Sequence, residues 1–223
     1  MTAGILAGGK SSRMGENKAF LKWEGQTLVE HLARMLAAEP AIDFLLVSVA
    51  DAEEYQDMRR CWQERTQLNL VEDVQKGYGP LEGLYQLLSH GKSEWLFVTA
   101  TDMPGICPRF LQQMLDQPRE GVQAVIPRSK GRIHPLCGLY HKSALPAVEG
   151  LLCKKEHRVR KLLEELFVRY VDLEMLGIED SVLENVNTPR EYEEAVKRMS
   201  LLFTDQECAL AAQGLPQRSE GIP

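Results

Sequence analysis

Short apolar runs alternate with amphipathic helical segments along most of this chain. Residues 44–49 and 95–98 have the composition of buried strands, and the apolar side chains of residues 28–36 repeat at helical spacing. This alternation is typical of crossover units that build a mainly parallel sheet. We therefore predict a single-domain α/β fold over residues 1–200, followed by a partly ordered tail over residues 201–223.

The composition excludes several classes of protein. The 223 residues carry a net charge of −6, which argues against the contiguous basic face that nucleic-acid binding needs. The five cysteines are odd in number and scattered, so we predict neither a zinc site nor a disulfide framework. We see neither a signal peptide nor a membrane-spanning run, and we expect a cytoplasmic protein that does not bind a membrane.

A glycine-rich, basic loop follows the first apolar run. Residues 5–7 are Ile-Leu-Ala, and residues 8–15 read Gly-Gly-Lys-Ser-Ser-Arg-Met-Gly. Glycine lets backbone N–H groups approach an anion closely, and Arg13 and Lys18 add positive charge to an acidic chain. The pattern predicts a loop that holds the phosphates of a nucleotide. The alternative is an ordinary strand-to-helix turn whose basic side chains are solvated.

Asp102 follows the most apolar of the predicted strands and precedes Pro104. A carboxylate held at the end of a strand suits Mg²⁺, which takes one or two protein carboxylates and completes its shell with water and substrate phosphates. The alternative is that Asp102 caps the next helix, which we expect to begin near Pro108.

Asp73 follows a weaker predicted strand, and Gly79 and Pro80 stand where the next helix begins. Glycine at such a position allows close approach of another group to the backbone. We predict that a nucleobase or ribose edge lies there, with Asp73 accepting its N–H or O–H donors. Alternatively, Asp73 is a turn residue without a ligand.

A second basic cluster lies in the later half of the chain. Arg128, Lys130 and Arg132 fall within five residues, and His134 follows them. Such a cluster in an acidic protein could hold an anionic acceptor, or it could be a charged surface hairpin.

Two asparagines precede the last predicted helix. Either Asn187 or Thr188 suits the cap of that helix, and Pro189 suits its first turn. Capping does not require both Asn185 and Asn187, so both are candidates to contact a phosphate or a metal-bound water.

Taken together, these segments resemble the molybdenum cofactor guanylyltransferases, the MobA-like nucleotidyltransferases. The matches stand in the order that the family has and extend to about Met199. They comprise residues 6–15 with Lys18, and residues 79–84, 101–104, 134–140 and 185–189. The resemblance implies a three-layer α/β/α nucleotidyltransferase fold, Rossmann-like, with a mainly parallel sheet.

The same resemblance implies a reaction and its site. GMP would move from GTP to the terminal phosphate of molybdopterin, with Mg²⁺ bound and pyrophosphate released. By position, Asp73 would bind the nucleoside, and Asp102 would bind both GTP and the metal. The remaining residues of the predicted nucleotide site are Leu6, Ala7, Gly8, Gly9, Lys18, Gly79 and Pro80. The family usually has aspartate where this chain has Asn17.

The residues agree with this chemistry. A phosphate monoester is already anionic near neutral pH, so no strong general base is required, and we find no Ser-His-Asp or Cys-His arrangement. Arg13, Lys18 and Asp102 are the predicted catalytic residues, because the reaction needs charge neutralisation and alignment. The predicted acceptor site comprises Arg128, Lys130, Arg132, His134, Asn185 and Asn187.

Two other functions stay open from the sequence. One is a cytidylyltransferase that acts on molybdopterin or another small phosphorylated acceptor. The other is a non-catalytic nucleotide-binding adaptor that delivers GTP or cofactor to molybdoenzymes. In the catalytic reading, molybdoenzymes or their chaperones are further expected partners.

Overall fold

A mixed sheet forms the middle layer of the computed structural model, which describes residues 1–8, 17–23, 25–75 and 78–197. The strands of these residues are, in chain order, β1 (Thr2–Leu6), β2 (Lys22–Trp23), β3 (Gln26–Thr27), β4 (Phe44–Val49), β5 (Gln67–Glu72), β6 (Trp95–Ala100), β7 (Ala124–Ser129), β8 (Arg132–Ile133), β9 (Gly138–His141) and β10 (Val168–Asp172). The sheet has the order β10-β7-β9-β6-β1-β4-β5, with β8 paired to β7. The short strands β2 and β3 pair with each other as a separate hairpin.

Most of the long strands run parallel, as predicted. β1 pairs in parallel with β4 and β6, β4 with β5, and β7 with β10. β9 is antiparallel to both β6 and β7, so the sheet is mixed. The fold is α/β with a mainly parallel sheet.

Helices cover both faces of this sheet. In chain order they are α1 (Leu28–Ala38), α2 (Gln56–Cys61), α3 (Pro80–His90), α4 (Pro108–Leu115), α5 (Leu145–Cys153), α6 (Val159–Glu165), α7 (Leu173–Leu176) and α8 (residues 189–197). Apolar side chains of α1, α2 and α4 pack in one buried cluster, and those of α3, α5 and α6 pack in another. Alternate residues of the central strands enter the two clusters, which gives the three-layer arrangement.

The register places four strand ends at one edge of the sheet. Leu6, at the end of β1, pairs with Ser48 of β4 on one side and with Ala100 of β6 on the other. Because these strands are parallel, the segments that follow β1, β4, β5 and β6 leave the sheet together. Ligands of open α/β sheets bind at this edge.

Several helices differ from the sequence expectation. The sequence predicts a polar helix from about Ala52 to Gln63, and the helix observed is shorter. A 3₁₀ turn over Glu53–Tyr55 leads into α2, which ends where the backbone of Trp62 becomes extended. The sequence reading missed α5 because its apolar run has no clear helical period and contains a glycine and a proline. The final helix is present over residues 189–197.

Two predictions concern residues after position 197. Met199 and the tail predicted over residues 201–223 lie outside the described residues. Within the part of the chain that the structure describes, every helix is too short or too polar to cross a bilayer.

Candidate active site

The backbone at the shared sheet edge is fixed by hydrogen bonds beyond the strand ends. The Ala7 N–H donates to the Ser48 carbonyl over 2.8 Å, and the Asp73 N–H donates to the Val49 carbonyl over 2.9 Å. On the other side of β1, the Thr101 N–H donates to the Leu6 carbonyl over 3.2 Å. The predicted phosphate loop, Asp73 and Asp102 therefore leave the sheet from neighbouring strands.

Asp102 is partly buried, and one of its carboxylate oxygens is unsatisfied. Oδ2 accepts a hydrogen bond of 3.1 Å from the Asn185 amide, whereas Oδ1 is buried and has no hydrogen-bond partner among the described residues. Burial raises the pKa of this carboxyl, and the positive charge of Lys18 opposes the rise. Asp102 does not cap a helix, because α4 begins at Pro108 with Cys107 in the cap position.

The carboxylate of Asp102 fits a cation-binding role. A buried acceptor without a donor is costly, and a bound cation would satisfy it. Among the described residues, no three His, Cys, Asp or Glu side chains group together as a metal site. One protein carboxylate, completed by water and substrate phosphate oxygens, matches the coordination that Mg²⁺ prefers.

Lys18 lies in a 3₁₀ turn over Lys18–Phe20, and Asn17 caps this turn. Asn17 accepts a hydrogen bond from the Ala19 N–H, and its amide donates to the Tyr55 hydroxyl over 3.2 Å. The same hydroxyl donates to the Ala7 carbonyl over 3.1 Å. Asn17 therefore ties the turn that carries Lys18 to the end of β1.

The two asparagines before α8 contact the predicted catalytic residues. Asn187 accepts a hydrogen bond of 2.7 Å from the Lys18 ammonium, and the Asn185 amide donates to Asp102. The Val186 N–H also donates to the Asp102 carbonyl over 2.7 Å. Residues 185–187 thus lie against the sheet edge and join Lys18 to Asp102.

Capping of α8 falls to Thr188. Its hydroxyl accepts from the Glu191 N–H over 3.2 Å, while the Glu191 carboxylate accepts from the Thr188 N–H over 3.0 Å. This reciprocal pair is a capping box. Of the two cap candidates, Thr188 is the residue that caps α8. The side chains of Asn185 and Asn187 instead bind Asp102 and Lys18.

Asp73 is held beside the start of the phosphate loop. Its Oδ1 accepts a hydrogen bond of 2.9 Å from the Ser48 hydroxyl. A Cβ added to Gly8 would lie 2.8 Å from Oδ2, so only glycine gives this carboxylate its present space. Burial raises the pKa of Asp73, and the bond from Ser48 opposes the rise. Gly79 has φ +68° directly before α3, a conformation that favours glycine.

Two members of the basic cluster at the end of β7 and in β8 form ion pairs with aspartates. The Arg128 guanidinium makes two hydrogen bonds of 2.6 Å to Asp172, which joins β7 to β10. Lys130 forms an ion pair of 3.0 Å with Asp180. The turn between β7 and β8 has positive φ at Lys130 and Gly131, so the hairpin expected from the sequence is present.

Arg132 and His134 line a cavity of about 1460 Å³, which Lys130, Asn185 and Asn187 also line. Arg160 of α6 lines it too and was not singled out in the sequence. Burial is the main cause that lowers the pKa of His134, and the positive charges of Arg132 and Arg160 lower it further. The negative charge of Asp180 acts in the opposite direction. The only sequence signal for Arg160 was the density of basic residues over 154–161.

Other predicted site residues stand as follows. Leu6 and Ala7 are buried at the end of β1, and Pro80 opens α3. Gly9 and Arg13 lie outside the described residues. The hydrogen bond from Ser48 to Asp73 was not predicted, because the position of a serine in an apolar strand does not indicate the partner of its hydroxyl.

Comparisons with known proteins agree with this geometry. A family model described as "MobA-like NTP transferase domain" matches residues 3–171. A Carboxydothermus hydrogenoformans protein named "Probable molybdenum cofactor guanylyltransferase" is 34% identical over 90% of this chain and 98% of its own. A Bacillus cytotoxicus protein of the same name is 32% identical over 85% of this chain and 93% of its own.

A solved structure has the same fold. The crystal structure titled molybdopterin-guanine dinucleotide biosynthesis protein A, from Archaeoglobus fulgidus, superposes with a TM-score of 0.74 at 24% identity. The match covers 90% of this chain and 99% of that chain. Nucleotidyltransferases of this kind typically use a divalent metal, which agrees with the donor set at Asp102. The sequence, the fold and the strand-edge site together show that this chain belongs to the MobA-like NTP transferase family, and it is a nucleotidyltransferase.

Proposed function

We propose that this protein transfers GMP from GTP to the terminal phosphate of molybdopterin and releases pyrophosphate. The observation that carries the proposal is the buried Oδ1 of Asp102, which has no hydrogen-bond partner in the described part of the chain and lies near the charge of Lys18 at the shared edge of the sheet. The named relatives support guanine as the base and molybdopterin as the acceptor, since they match most of this chain.

The reaction exchanges one phosphoric anhydride for another. An oxygen of the acceptor phosphate bonds to the α-phosphorus of GTP, and the bond from that phosphorus to the bridging oxygen of the β-phosphate breaks. The bridging oxygen leaves with pyrophosphate and its electron pair. The acceptor phosphate is already ionised, so the protein's task is to align two anions and to stabilise the charge on the leaving group.

Each site residue has a role in this scheme. Lys18 neutralises the phosphates, and Asn187 fixes the direction of its ammonium. Arg13 adds a second positive charge from the loop, where Gly8 and Gly9 allow close approach of backbone N–H groups. Asp102 would hold Mg²⁺, which would supply charge neutralisation for the phosphates. The Asn185 amide orients the Asp102 carboxylate.

Asp73 binds the nucleoside, with Gly79 and Pro80 leaving room for it beside the start of α3. The Ser48 hydroxyl holds the Asp73 carboxylate by a hydrogen bond, and the absence of a side chain at Gly8 leaves room for its second oxygen. Leu6 and Ala7 form the floor at the end of β1.

The acceptor lies in the cavity that Arg132, His134 and Arg160 line. The guanidinium groups of Arg132 and Arg160 suit the phosphate of molybdopterin, and Lys130 lines the same cavity beside its ion-pair partner Asp180. Arg128, paired with Asp172, lines a neighbouring pocket. Location in the cytoplasm and delivery to molybdoenzymes or their chaperones remain predictions from the sequence.

Thermal unfolding in the presence of Mg²⁺ and each of GTP, CTP, ATP and UTP tests the nucleotide assignment. A ligand that binds only the native state raises the midpoint of unfolding. The proposal expects a rise with GTP that exceeds the rise with any other nucleotide. A larger rise with CTP favours the cytidylyltransferase. Binding of GTP without metal-dependent product formation favours the adaptor.

A further inference from the structure

Glu82, on the first turn of α3, is a buried acidic residue outside the scheme above. Its side chain is only 2% exposed. A carboxylate is rarely buried unless hydrogen bonds or charges compensate for its lost hydration. Its contacts therefore indicate what the fold uses it for.

One oxygen of Glu82 accepts three hydrogen bonds. The Val74 N–H donates over 3.1 Å and the Gln75 N–H over 3.3 Å, while the Gln86 side-chain amide donates over 2.8 Å. The two backbone donors belong to the segment that begins one residue after Asp73. Glu82 thus ties this segment to α3, and Gln86, one helical turn further on, holds the carboxylate in place.

Apolar burial contributes little to holding the described part of this segment. The Val74 side chain is 78% exposed, so apolar burial does not hold the backbone there. On the other side, the Asp73 N–H is bound to the Val49 carbonyl of β4. The backbone at Asp73 is therefore anchored before the residue by the sheet and after it by Glu82.

We propose that Glu82 is a positioning residue that sets the Asp73 carboxylate for the nucleoside of the bound nucleotide. This inference rests on the proposed role of Asp73 in nucleoside binding. Glu82 contacts the segment that follows Asp73 and no phosphate-loop residue among those described. Its loss should weaken the contact with base or ribose and leave binding of the phosphates unchanged.

Calorimetric titrations of purified variants with GTP and with inorganic tripolyphosphate, both with Mg²⁺, test this proposal. Glu82→Ala removes the acceptor of two backbone N–H groups and should weaken GTP binding about 10- to 30-fold. Tripolyphosphate binding should stay within about twofold of the wild type. Glu82→Gln keeps one carbonyl oxygen and should restore most of the GTP affinity. Tyr85→Phe is the matched control, since it removes only a hydrogen bond from α3 to Glu149.

If Glu82→Ala fails to fold, Glu82→Asp replaces it, because the shorter side chain withdraws the oxygen from Val74 and Gln75. GTP affinity within about threefold of the wild type in a folded variant overturns the inference, and so does an equal loss for tripolyphosphate. Preference of the wild type for CTP contradicts the proposed function instead, and the same comparison made with CTP then decides the role of Glu82.

Discussion

The ammonium group of Lys18 donates a hydrogen bond of 2.7 Å to the amide oxygen of Asn187, a residue 169 positions further along the chain. Two residues earlier, Asn185 binds the carboxylate of Asp102. The segment before α8 therefore reaches both predicted catalytic side chains at the sheet edge. In the proposed mechanism its asparagines orient the protein's charges, a role that is distinct from direct contact with the acceptor.

Replacement of Asn187 should lower turnover more than stability. In Asn187→Ala, Lys18 keeps its charge but loses the acceptor that directs it, and we expect kcat to fall about tenfold. Steady-state kinetics and thermal unfolding measure the two effects separately. Thr188→Ala is the control: it removes the cap of α8, should cost about 1 kcal/mol of unfolding free energy, and should leave kcat unchanged. The reverse pattern would contradict the role of Asn187.

Asp102→Asn should abolish most of the activity and leave the fold intact. Asparagine keeps one oxygen to accept the Asn185 amide but removes the charge that would hold a cation, so kcat should fall by about 100-fold or more. The raised pKa of Asp102 indicates that its charge is poorly solvated, and the variant should unfold at the same temperature as the wild type or higher. Circular dichroism establishes folding. Near-normal turnover by the folded variant would remove Asp102 from the mechanism.

Gly8→Ala should weaken nucleotide binding through Asp73. The new Cβ would lie 2.8 Å from Asp73 Oδ2, so the carboxylate must move, and KM for GTP should rise about tenfold. Gly150→Ala in α5 is the matched control, because its added Cβ would meet no described atom within 4 Å apart from its chain neighbours and the backbone of its own helix. It should raise the free energy of unfolding by about 0.5–1 kcal/mol without changing KM. An unchanged KM in Gly8→Ala would contradict a role for Asp73 in nucleotide binding.

His134 gives the protein a stability component that depends on pH. Its pKa lies below the ordinary value of 6.5, because burial and Arg132 disfavour its protonated form. Between the folded pKa and 6.5, His134 is therefore mostly protonated in the unfolded chain and mostly neutral in the folded chain. This component is fully present above pH 6.5 and is lost as the pH falls towards the folded pKa.

Urea unfolding of the wild type and His134→Gln between pH 5 and 8 measures this component. The difference in unfolding free energy between the two proteins should be constant above neutral pH. It should then shift in favour of the variant as the pH falls. His157→Gln, at an exposed position, is the control. A difference that does not change with pH would contradict the environment described for His134, in which burial and the charges of Arg132 and Arg160 disfavour protonation of the ring and the charge of Asp180 favours it.

The strand ends and their aspartates could be predicted because short-range rules govern them. Apolar runs mark the parallel strands, and the residues just after them leave the sheet at one edge, which made Asp73 and Asp102 candidates from sequence. The side-chain partners could not be predicted, since the contacts of Lys18 with Asn187 and of Ser48 with Asp73 join segments that only the folded sheet brings together.

Other parts of the site escaped prediction for different physical reasons. The spacing of basic residues grouped Arg128 with Arg132. In the fold, Arg128 forms an ion pair with Asp172, whereas Arg132 lines the cavity. Arg160 lies in α6, and the sequence pattern of this helix indicates only which apolar residues are buried. It does not show where the polar side chains point. Glu82 reads as an ordinary polar position in a helical turn, and its burial depends on the segment that folds over it.

The most direct test of the central claim is turnover with molybdopterin and Mg²⁺, offering GTP, CTP, ATP and UTP in separate reactions. Pyrophosphate release and the mass of the product are followed together. With GTP, we expect pyrophosphate and a guanine dinucleotide of molybdopterin in equal amounts, and loss of both products when the metal is chelated. Formation of the cytosine product in preference, or binding of GTP with no product under any condition, would contradict it.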